Sequence, residues 1–243
     1  MRRIVFGGVV DLNQEVLIEG PPLEALRFRG ARVGGIVTLT DTAGNDYRGR
    51  VLRFSKGEAS ILIFDKFSSP TESSIEIFLL QALPEKERME LIIQKATELG
   101  VSAILCFKSK RSISLEERES KQKKAHRWQT IAIRAAQQSR RAKVPSVEYY
   151  SSLEDALKVC DRPGLKILLW EKKGEHLKDV LRQSPSKTVY AMVGPEGGLG
   201  EEEVHLAKAN GFRPVNLGQR ILRTETAAIT VVGILQYELG DLS

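Results

Sequence analysis

Residues suited to metal, disulfide or covalent chemistry are scarce in this sequence. It has only two cysteines, Cys106 and Cys160, and three histidines that lie far apart in the chain. No Cys-x-x-Cys, His-Glu-x-x-His or nucleophile-elbow motif occurs, so zinc sites and serine- or cysteine-based catalysis have no support. The two cysteines permit one disulfide, but two buried thiols in a reducing cytoplasm are the better interpretation. We therefore expect a cytoplasmic protein that holds no metal.

Long apolar runs are also missing. No stretch approaches the roughly 20 apolar residues that a membrane helix needs. Two arginines precede the apolar residues 4–10, but that stretch contains two glycines, stops at Asp11 and lacks a small-residue cleavage motif. We expect an N-terminal strand there and not a signal peptide, and we expect no membrane association.

Positive charge is concentrated in one part of the chain. The 243 residues carry a net charge of +6, yet residues 106–145 alone hold twelve Lys or Arg against three acidic residues, so the other 203 residues sum to −3. A segment this basic attracts phosphate backbones, although a solvated helix face is the plain alternative. On a helix predicted over 120–139, basic residues recur at spacings of four and seven, which forms one positive stripe. The candidate phosphate-binding residues of the segment are Arg111, Arg127, Arg134, Arg140, Arg141 and Lys143.

The pattern of elements predicts two domains. Short strands separated by turns, at 36–40, 47–54 and 59–64, are typical of a small β-barrel. A serine-rich break at 68–74 predicts a linker. Beyond it, strands and helices alternate, which predicts an α/β domain with a parallel sheet. The boundaries are 1–70 for the barrel and 75–243 for the α/β domain. The predicted strands of the second domain are 75–82, 101–107, 165–170, 188–193 and 214–217, and its helices are 85–99, 120–139, 153–160, 201–210 and 225–239.

A glycine-bearing turn, Gly194-Pro195-Glu196-Gly197-Gly198, follows one of these strands and precedes a helix. In α/β proteins this is where a ligand meets bare backbone. The turn has the spacing of neither a phosphate loop nor a dinucleotide fingerprint, and the glutamates at 201–203 would repel a phosphate at the next helix N-terminus. It suits a neutral, adenosine-like group, with an ordinary strand-to-helix turn as the alternative.

A second turn, at 217–227, combines cations with apolar side chains in the sequence Leu-Gly-Gln-Arg-Ile-Leu-Arg-Thr-Glu-Thr-Ala. Arg220 and Arg223 flank two apolar residues. We expect Thr224 to cap the helix that begins at Glu225. Glu225 itself fits either a first-turn acid that complements the helix dipole or a catalytic carboxylate.

Together, the two turns closely resemble those of the RsmE family, bacterial 16S ribosomal RNA (uridine-N3) methyltransferases of the SPOUT superfamily. Residues 94–101, Arg111-Ser112 and parts of 138–145 match that family too. The resemblance is strong over 75–243 and rests on length and strand pattern over the first 70 residues. At 137–141, where the family has Glu-Gln-Ser/Cys-Gly-Arg, this chain has Gln-Gln-Ser-Arg-Arg.

The resemblance implies a C-terminal α/β domain tied in a trefoil knot and an N-terminal PUA-like β-barrel that helps to hold RNA. It also implies S-adenosylmethionine as cofactor, 16S ribosomal RNA in the small ribosomal subunit as substrate, and a homodimer. The implied cofactor-binding residues are Leu169, Gly194, Glu196, Gly198, Leu217, Gly218, Ile221 and Leu222.

Methylation of uridine N3 requires loss of the N3 proton, which spreads negative charge onto O2 and O4. A carboxylate can take the proton, and arginines can stabilise the charge. The candidates are Glu225 and then Glu196 for the first role, and Arg223 and Arg220 for the second. In the N-terminal domain, the candidate RNA contacts are Arg27 and Arg29. Two other functions stay open: a SPOUT enzyme with another RNA target, and a non-catalytic RNA-binding assembly factor.

Overall fold

A computed structural model describes residues 4, 7, 10–28, 30–42, 45–66, 72–112, 128–139, 141, 143–172 and 174–242, with Lys86 described by its backbone alone. Three predicted RNA contacts, Arg29, Arg127 and Arg140, lie outside the described residues, as does the first part of the helix predicted over 120–139. The chain forms two compact units. The first comprises residues 1–72 and 140–144, and the second comprises 73–139 and 145–243.

The first unit is built on an antiparallel sheet with the strand order β1-β4-β3-β2. Its elements are β1 (Glu15–Ile18), α1 (Gly20–Phe28), β2 (Ile36–Thr40), β3 (Asp46–Phe54) and β4 (Ala59–Lys66). The three strands that alternation predicted are present, whereas β1 and α1 were not predicted. Gly49 is required in β3, because a Cβ there would lie 2.2 Å from the Ile61 side chain of the neighbouring strand.

A buried ion pair lies in the same unit. The Arg141 Nη2 atom is 2.7 Å from Glu72 Oε2, and both side chains are less than a tenth exposed. The second carboxylate oxygen of Glu72 accepts the backbone N–H of Lys143 at 2.8 Å. Arg141 therefore contributes to packing, and the expectation that it presents its charge to RNA is wrong. The helix that the sequence predicts over 120–139 ends at Gln138, so the predicted positive stripe on that helix does not extend to Arg141.

The second unit is built on a seven-stranded sheet with the order β7-β6-β5-β10-β8-β11-β9, and every pairing in it is parallel. Its strands are β5 (Glu76–Ala82), β6 (Ala103–Phe107), β7 (Ser146–Tyr150), β8 (Leu165–Leu169), β9 (Glu175–His176), β10 (Thr188–Val193) and β11 (Arg213–Asn216). Its helices are α2 (Lys86–Glu98), α3 (Trp128–Gln138), α4 (Leu153–Lys158), α5 (Leu177–Gln183), α6 (Glu201–Ala209) and α7 (Thr224–Leu239).

Hydrophobic patterning accounts for the central elements. All of β6 and five of the six residues of β10 are buried, as expected for parallel strands covered on both faces. Helix α2 buries Met89, Ile92, Ile93 and Ala96 at helical spacing, which confirms the predicted face. It ends before Gly100, whose φ of +89° is a conformation that favours glycine.

The elements that the sequence did not predict lie at the edges of this sheet. Strand β7 pairs only with β6 and has no fully buried residue, so it lacks a clear alternation. Strand β9 has two residues and is exposed. Cys106 and Cys160 are both buried, and neither forms a disulfide. Within the described ranges, no helix is long and apolar enough to cross a membrane.

Glu72→Ala should destabilise the first unit by about 3 kcal/mol, because it removes one partner of a buried ion pair. Equilibrium urea unfolding, followed by a probe in that unit, measures the loss. Asp65→Asn is the matched control, since it breaks a more exposed, longer pair with Arg48 at 3.6 Å and should cost less than about 1 kcal/mol. Equal losses in the two variants would contradict the assignment of Glu72–Arg141 as a structural pair.

Candidate functional site

A cavity of about 470 Å³ opens at the carboxyl ends of three adjacent parallel strands of the second unit. Its walls are residues 169–171 after β8, 193–199 after β10 and 215–224 after β11, together with Arg88 and Ala227. Because the carboxyl ends of parallel strands share one sheet edge, the turns at 194–198 and 217–223 meet there although other elements separate them in the chain. The cavity is therefore the candidate ligand site.

The turn after β10 needs two of its glycines. A Cβ on Gly194 would approach the Leu199 backbone nitrogen to 3.1 Å and the Leu199 side chain to 3.2 Å. Gly198 has a φ of +67°, and a Cβ there would lie 3.3 Å from the Glu171 carboxylate. Without side chains at these positions, the backbone itself forms the wall of the cavity.

Thr224 joins the two turns. Its hydroxyl donates to the Gly194 carbonyl at 2.6 Å and accepts from Nε2 of Gln81 at 3.1 Å. Gln81 is fully buried near the end of β5, and the residue that precedes α7 makes no side-chain capping bond. The expected capping role of Thr224 is therefore wrong. Its side chain instead ties the start of α7 to the turn after β10, because its oxygen accepts from Gln81 and its O–H donates to the Gly194 carbonyl.

The turn after β11 presents its side chains outward. Gly218 has a φ of +108°, which favours glycine, and its N–H donates to Asn216 Oδ1 at 3.2 Å. Ile221 is 85% exposed, and both flanking arginines, Arg220 and Arg223, are exposed as well. The predicted combination of cations and an apolar surface is thus present at the mouth of the cavity.

Arg88, on α2, is a wall residue that sequence reasoning missed. Its Nη1 atom lies 2.9 Å from Glu196 Oε1, and its Nε atom lies 3.9 Å from Glu225 Oε2. The sequence signal was the position of Arg88 in the first turn of the helix that follows β5, where a cation opposes the helix dipole and so needs another reason to be there.

All eight predicted cofactor-binding residues line the cavity: Leu169, Gly194, Glu196, Gly198, Leu217, Gly218, Ile221 and Leu222. Arg220 and Arg223 line it too. Glu225 is not among the wall residues. Its side chain is 14% exposed and lies beside Arg88, one residue beyond the wall residue Thr224.

The predicted RNA-binding residues that the structure describes lie in different parts of the two units. The guanidinium of Arg111 donates to the Gly197 carbonyl at 2.6 Å, which brings it to the turn after β10. Arg134 is exposed on α3, and the Lys143 side chain is exposed in the first unit. In the same unit, Arg27 donates to the Ser55 carbonyl at 2.7 Å.

The acidic start of α6 has two functions in the structure. Glu203 is buried, and its carboxylate accepts from the Gly200 N–H at 2.8 Å, the Lys110 N–H at 3.0 Å and the Ser109 hydroxyl at 3.2 Å. Glu202 pairs with the Lys110 ammonium, whose hydrogen bond and charge lower the pKa of that carboxyl. Glu203 thus fixes the helix start that follows the cavity wall. No group of three potential metal ligands occurs in the part of the chain that the structure describes.

Known proteins resemble this chain in sequence and in fold. A family model for the RNA methyltransferase domain matches residues 71–236. Ribosomal RNA small subunit methyltransferase E of Bacillus subtilis is 34% identical over 191 residues, which cover 76% of this chain and 74% of that protein. Two of the similar solved structures match over the full length of both chains. One is ribosomal RNA small subunit methyltransferase E of Neisseria gonorrhoeae bound to S-adenosylmethionine, with a TM-score of 0.73 and 32% identity. The other is a putative methyltransferase of Legionella pneumophila with the same cofactor, with a TM-score of 0.70 and 30% identity.

The extent of these matches settles the family: the chain belongs to the RNA methyltransferase domain family and, within it, to the ribosomal RNA small subunit methyltransferase E family.

Proposed function

We propose that this protein methylates N3 of a uridine in 16S ribosomal RNA of the small ribosomal subunit, with S-adenosylmethionine as the methyl donor. The observation that carries the proposal is the cavity between the turns after β8, β10 and β11, because its wall contains every residue that the family resemblance assigned to the cofactor. Two similar structures hold S-adenosylmethionine, and the relatives are named for methylation of small-subunit ribosomal RNA.

The cavity fits the donor in chemistry and size. Its walls combine apolar side chains, such as Leu169 and Leu217, with the bare backbone of Gly194 and Gly198, which suits an adenosine group held by backbone contacts. When bound, S-adenosylmethionine supplies an electrophilic methyl group on a sulfonium. The two carboxylates of the wall, Glu171 and Glu196, complement that positive charge.

The chain's own residues supply the remaining chemistry. A carboxylate removes the uridine N3 proton, and Glu225 and Glu196 are the two candidates. Arg223 and Arg220 stand exposed at the mouth of the cavity, where they stabilise the charge that develops on O2 and O4. The target base is either flipped out or single-stranded when it enters.

Basic residues of both units bind the RNA backbone in this proposal. Arg134 in the second unit and Lys143 in the first unit are exposed cations of the basic segment. Arg111 lies at the turn after β10, so it is suited to a phosphate close to the reacting base. Arg27 keeps a place in the proposal as a contact of the first unit, which we regard as a PUA-like RNA-binding domain.

The proposal extends to the architecture. The insertion of β10 between β5 and β8, with β11 on the far side of β8, supports a trefoil knot formed by the last elements of the chain. A homodimer is supported by α7, which is apolar around most of its circumference and leaves Tyr237 61% exposed. The two buried cysteines, which form no disulfide, agree with a cytoplasmic enzyme.

Incubation of the purified protein with small ribosomal subunits and labelled S-adenosylmethionine should yield one N3-methyluridine per subunit. Nuclease digestion followed by mass spectrometry identifies the product and its position. Methylation of another RNA would replace the proposed substrate. Binding of RNA without cofactor binding or product would instead indicate a non-catalytic assembly factor.

Gly198→Ala should weaken S-adenosylmethionine binding by about tenfold, because the positive φ strains alanine by about 1–2 kcal/mol and the wall must shift to relieve it. Isothermal titration calorimetry measures the affinity. Gly211→Ala is the matched control: its φ is +86°, and the nearest atom to an added Cβ is Lys166 Cδ at 3.8 Å, outside the cavity. Both variants should lose stability, and only Gly198→Ala should lose affinity. A normal affinity in Gly198→Ala would remove the turn after β10 from the cofactor site.

Arg134→Ala should reduce the slope of log K against log salt for RNA binding by about 0.7–0.9, the value of one lost phosphate contact. Filter binding between 50 and 250 mM salt measures the slope. The control is Lys158→Ala, which removes an exposed cation of a helical pair with Asp155 outside the basic segment. An unchanged slope in Arg134→Ala would show that α3 does not face the RNA.

A further inference from the structure

One guanidinium contacts three carboxylates at the edge of the cavity. Arg88 Nη1 lies 2.9 Å from Glu196 Oε1, Nη2 lies 3.6 Å from Glu85 Oε2, and Nε lies 3.9 Å from Glu225 Oε2. These acids come from three places: the residue before α2, the turn after β10 and the first turn of α7. Arg88 thus joins the helix after β5 to both elements that carry the candidate proton acceptors.

The two candidate carboxylates are held differently. Oε1 of Glu196 accepts the Glu85 backbone N–H at 2.9 Å and forms an ion pair with Arg88 Nη1 at 2.9 Å. These two contacts fix that carboxylate oxygen in place. Glu196 therefore acts as a bridge that fixes the turn after β10 to the start of α2.

The contacts of Glu225 Oε2 differ from those of Glu196 Oε1. Its Oε2 atom is buried and, among the described residues, has no hydrogen-bond donor. The 3.9 Å contact with Arg88 compensates the negative charge but is too long for a hydrogen bond. A carboxylate oxygen whose lone pairs are not used by hydrogen bonds keeps the capacity to accept a proton.

We propose that Arg88 is a positioning residue that assigns the two carboxylates their roles: it fixes Glu196 in the cofactor wall and orients Glu225, whose Oε2 receives no hydrogen bond from the described residues, as the acceptor of the N3 proton. This inference rests on the proposed methyl transfer to uridine N3. Arg88 itself takes no part in the proton transfer. The proton passes from uridine N3 to the Glu225 carboxylate, and the electron pair left on N3 forms the new bond to the methyl carbon as the donor sulfonium becomes a neutral thioether.

The variants Arg88→Met, Arg88→Lys, Glu196→Gln and Glu225→Gln test the proposal in the full-length protein. Arg88→Met should lower kcat at saturating RNA and cofactor by at least tenfold and weaken S-adenosylmethionine binding severalfold. Arg88→Lys should recover most of kcat, because an ammonium restores the charge although it lacks the planar fork. Glu225→Gln should lower kcat at least 100-fold with little change in cofactor affinity. Glu196→Gln should mainly weaken cofactor affinity and lower kcat fivefold or less.

Lys158→Met is the control. It removes the cation of another helical i,i+3 pair, in which Lys158 Nζ lies 2.8 Å from Asp155 Oδ1 and outside the cavity. It should keep wild-type kcat and affinity, and thermal melts should show all five variants folded. Wild-type kcat in Arg88→Met, or an equal loss of kcat in the two glutamine variants, would overturn the proposal. Absence of N3-methyluridine with the wild-type protein would instead reject the proposed function, so the two failures are distinguishable.

Discussion

The candidate site depends on the Gly194 carbonyl, which accepts the Thr224 hydroxyl at 2.6 Å. This bond ties the end of β10 to the start of α7, and the buried amide of Gln81 adds the end of β5 to the same contact. A threonine that only capped its own helix would leave the two glycine-bearing turns unconnected. With the bond in place, the start of α7 carries Glu225 to the edge of the cavity, and bare backbone faces the ligand because Gly194 and Gly198 tolerate no side chain without a shift.

Charged side chains add to the cavity wall that the backbone forms. Three arginines line the cavity: Arg88, and Arg220 and Arg223 at its mouth. Arg88 is committed to carboxylates of the protein, whereas Arg220 and Arg223 are exposed and available to an incoming nucleotide. Glu171 and Glu196 in the wall complement a positively charged ligand group.

The sequence predicted much of this arrangement. Helical spacing identified α2 and continuous apolar runs identified the central strands. The resemblance of the two turns to a known family named eight residues of the cavity wall, whereas Arg88 was missed. The edge strands β7 and β9 were not predicted because they bury too few residues to show a hydrophobic pattern. Arg141 was misread because its spacing matched the basic stripe, and only the fold shows that the helix ends at Gln138 and that Glu72 lies 2.7 Å away.

The sequence by itself determined the parallel α/β character of residues 75–243, the position of the glycine turns and the family, since these follow from local patterns of burial, turn chemistry and motif. The tertiary structure alone decided which side chains meet. Thr224 pairs with a carbonyl 30 residues earlier, and Arg88 reaches Glu196 and Glu225, which lie more than 100 residues further along the chain. Contacts of this kind depend on strand order, because parallel neighbours bring distant strand ends to one edge, and no local pattern of residues specifies that order.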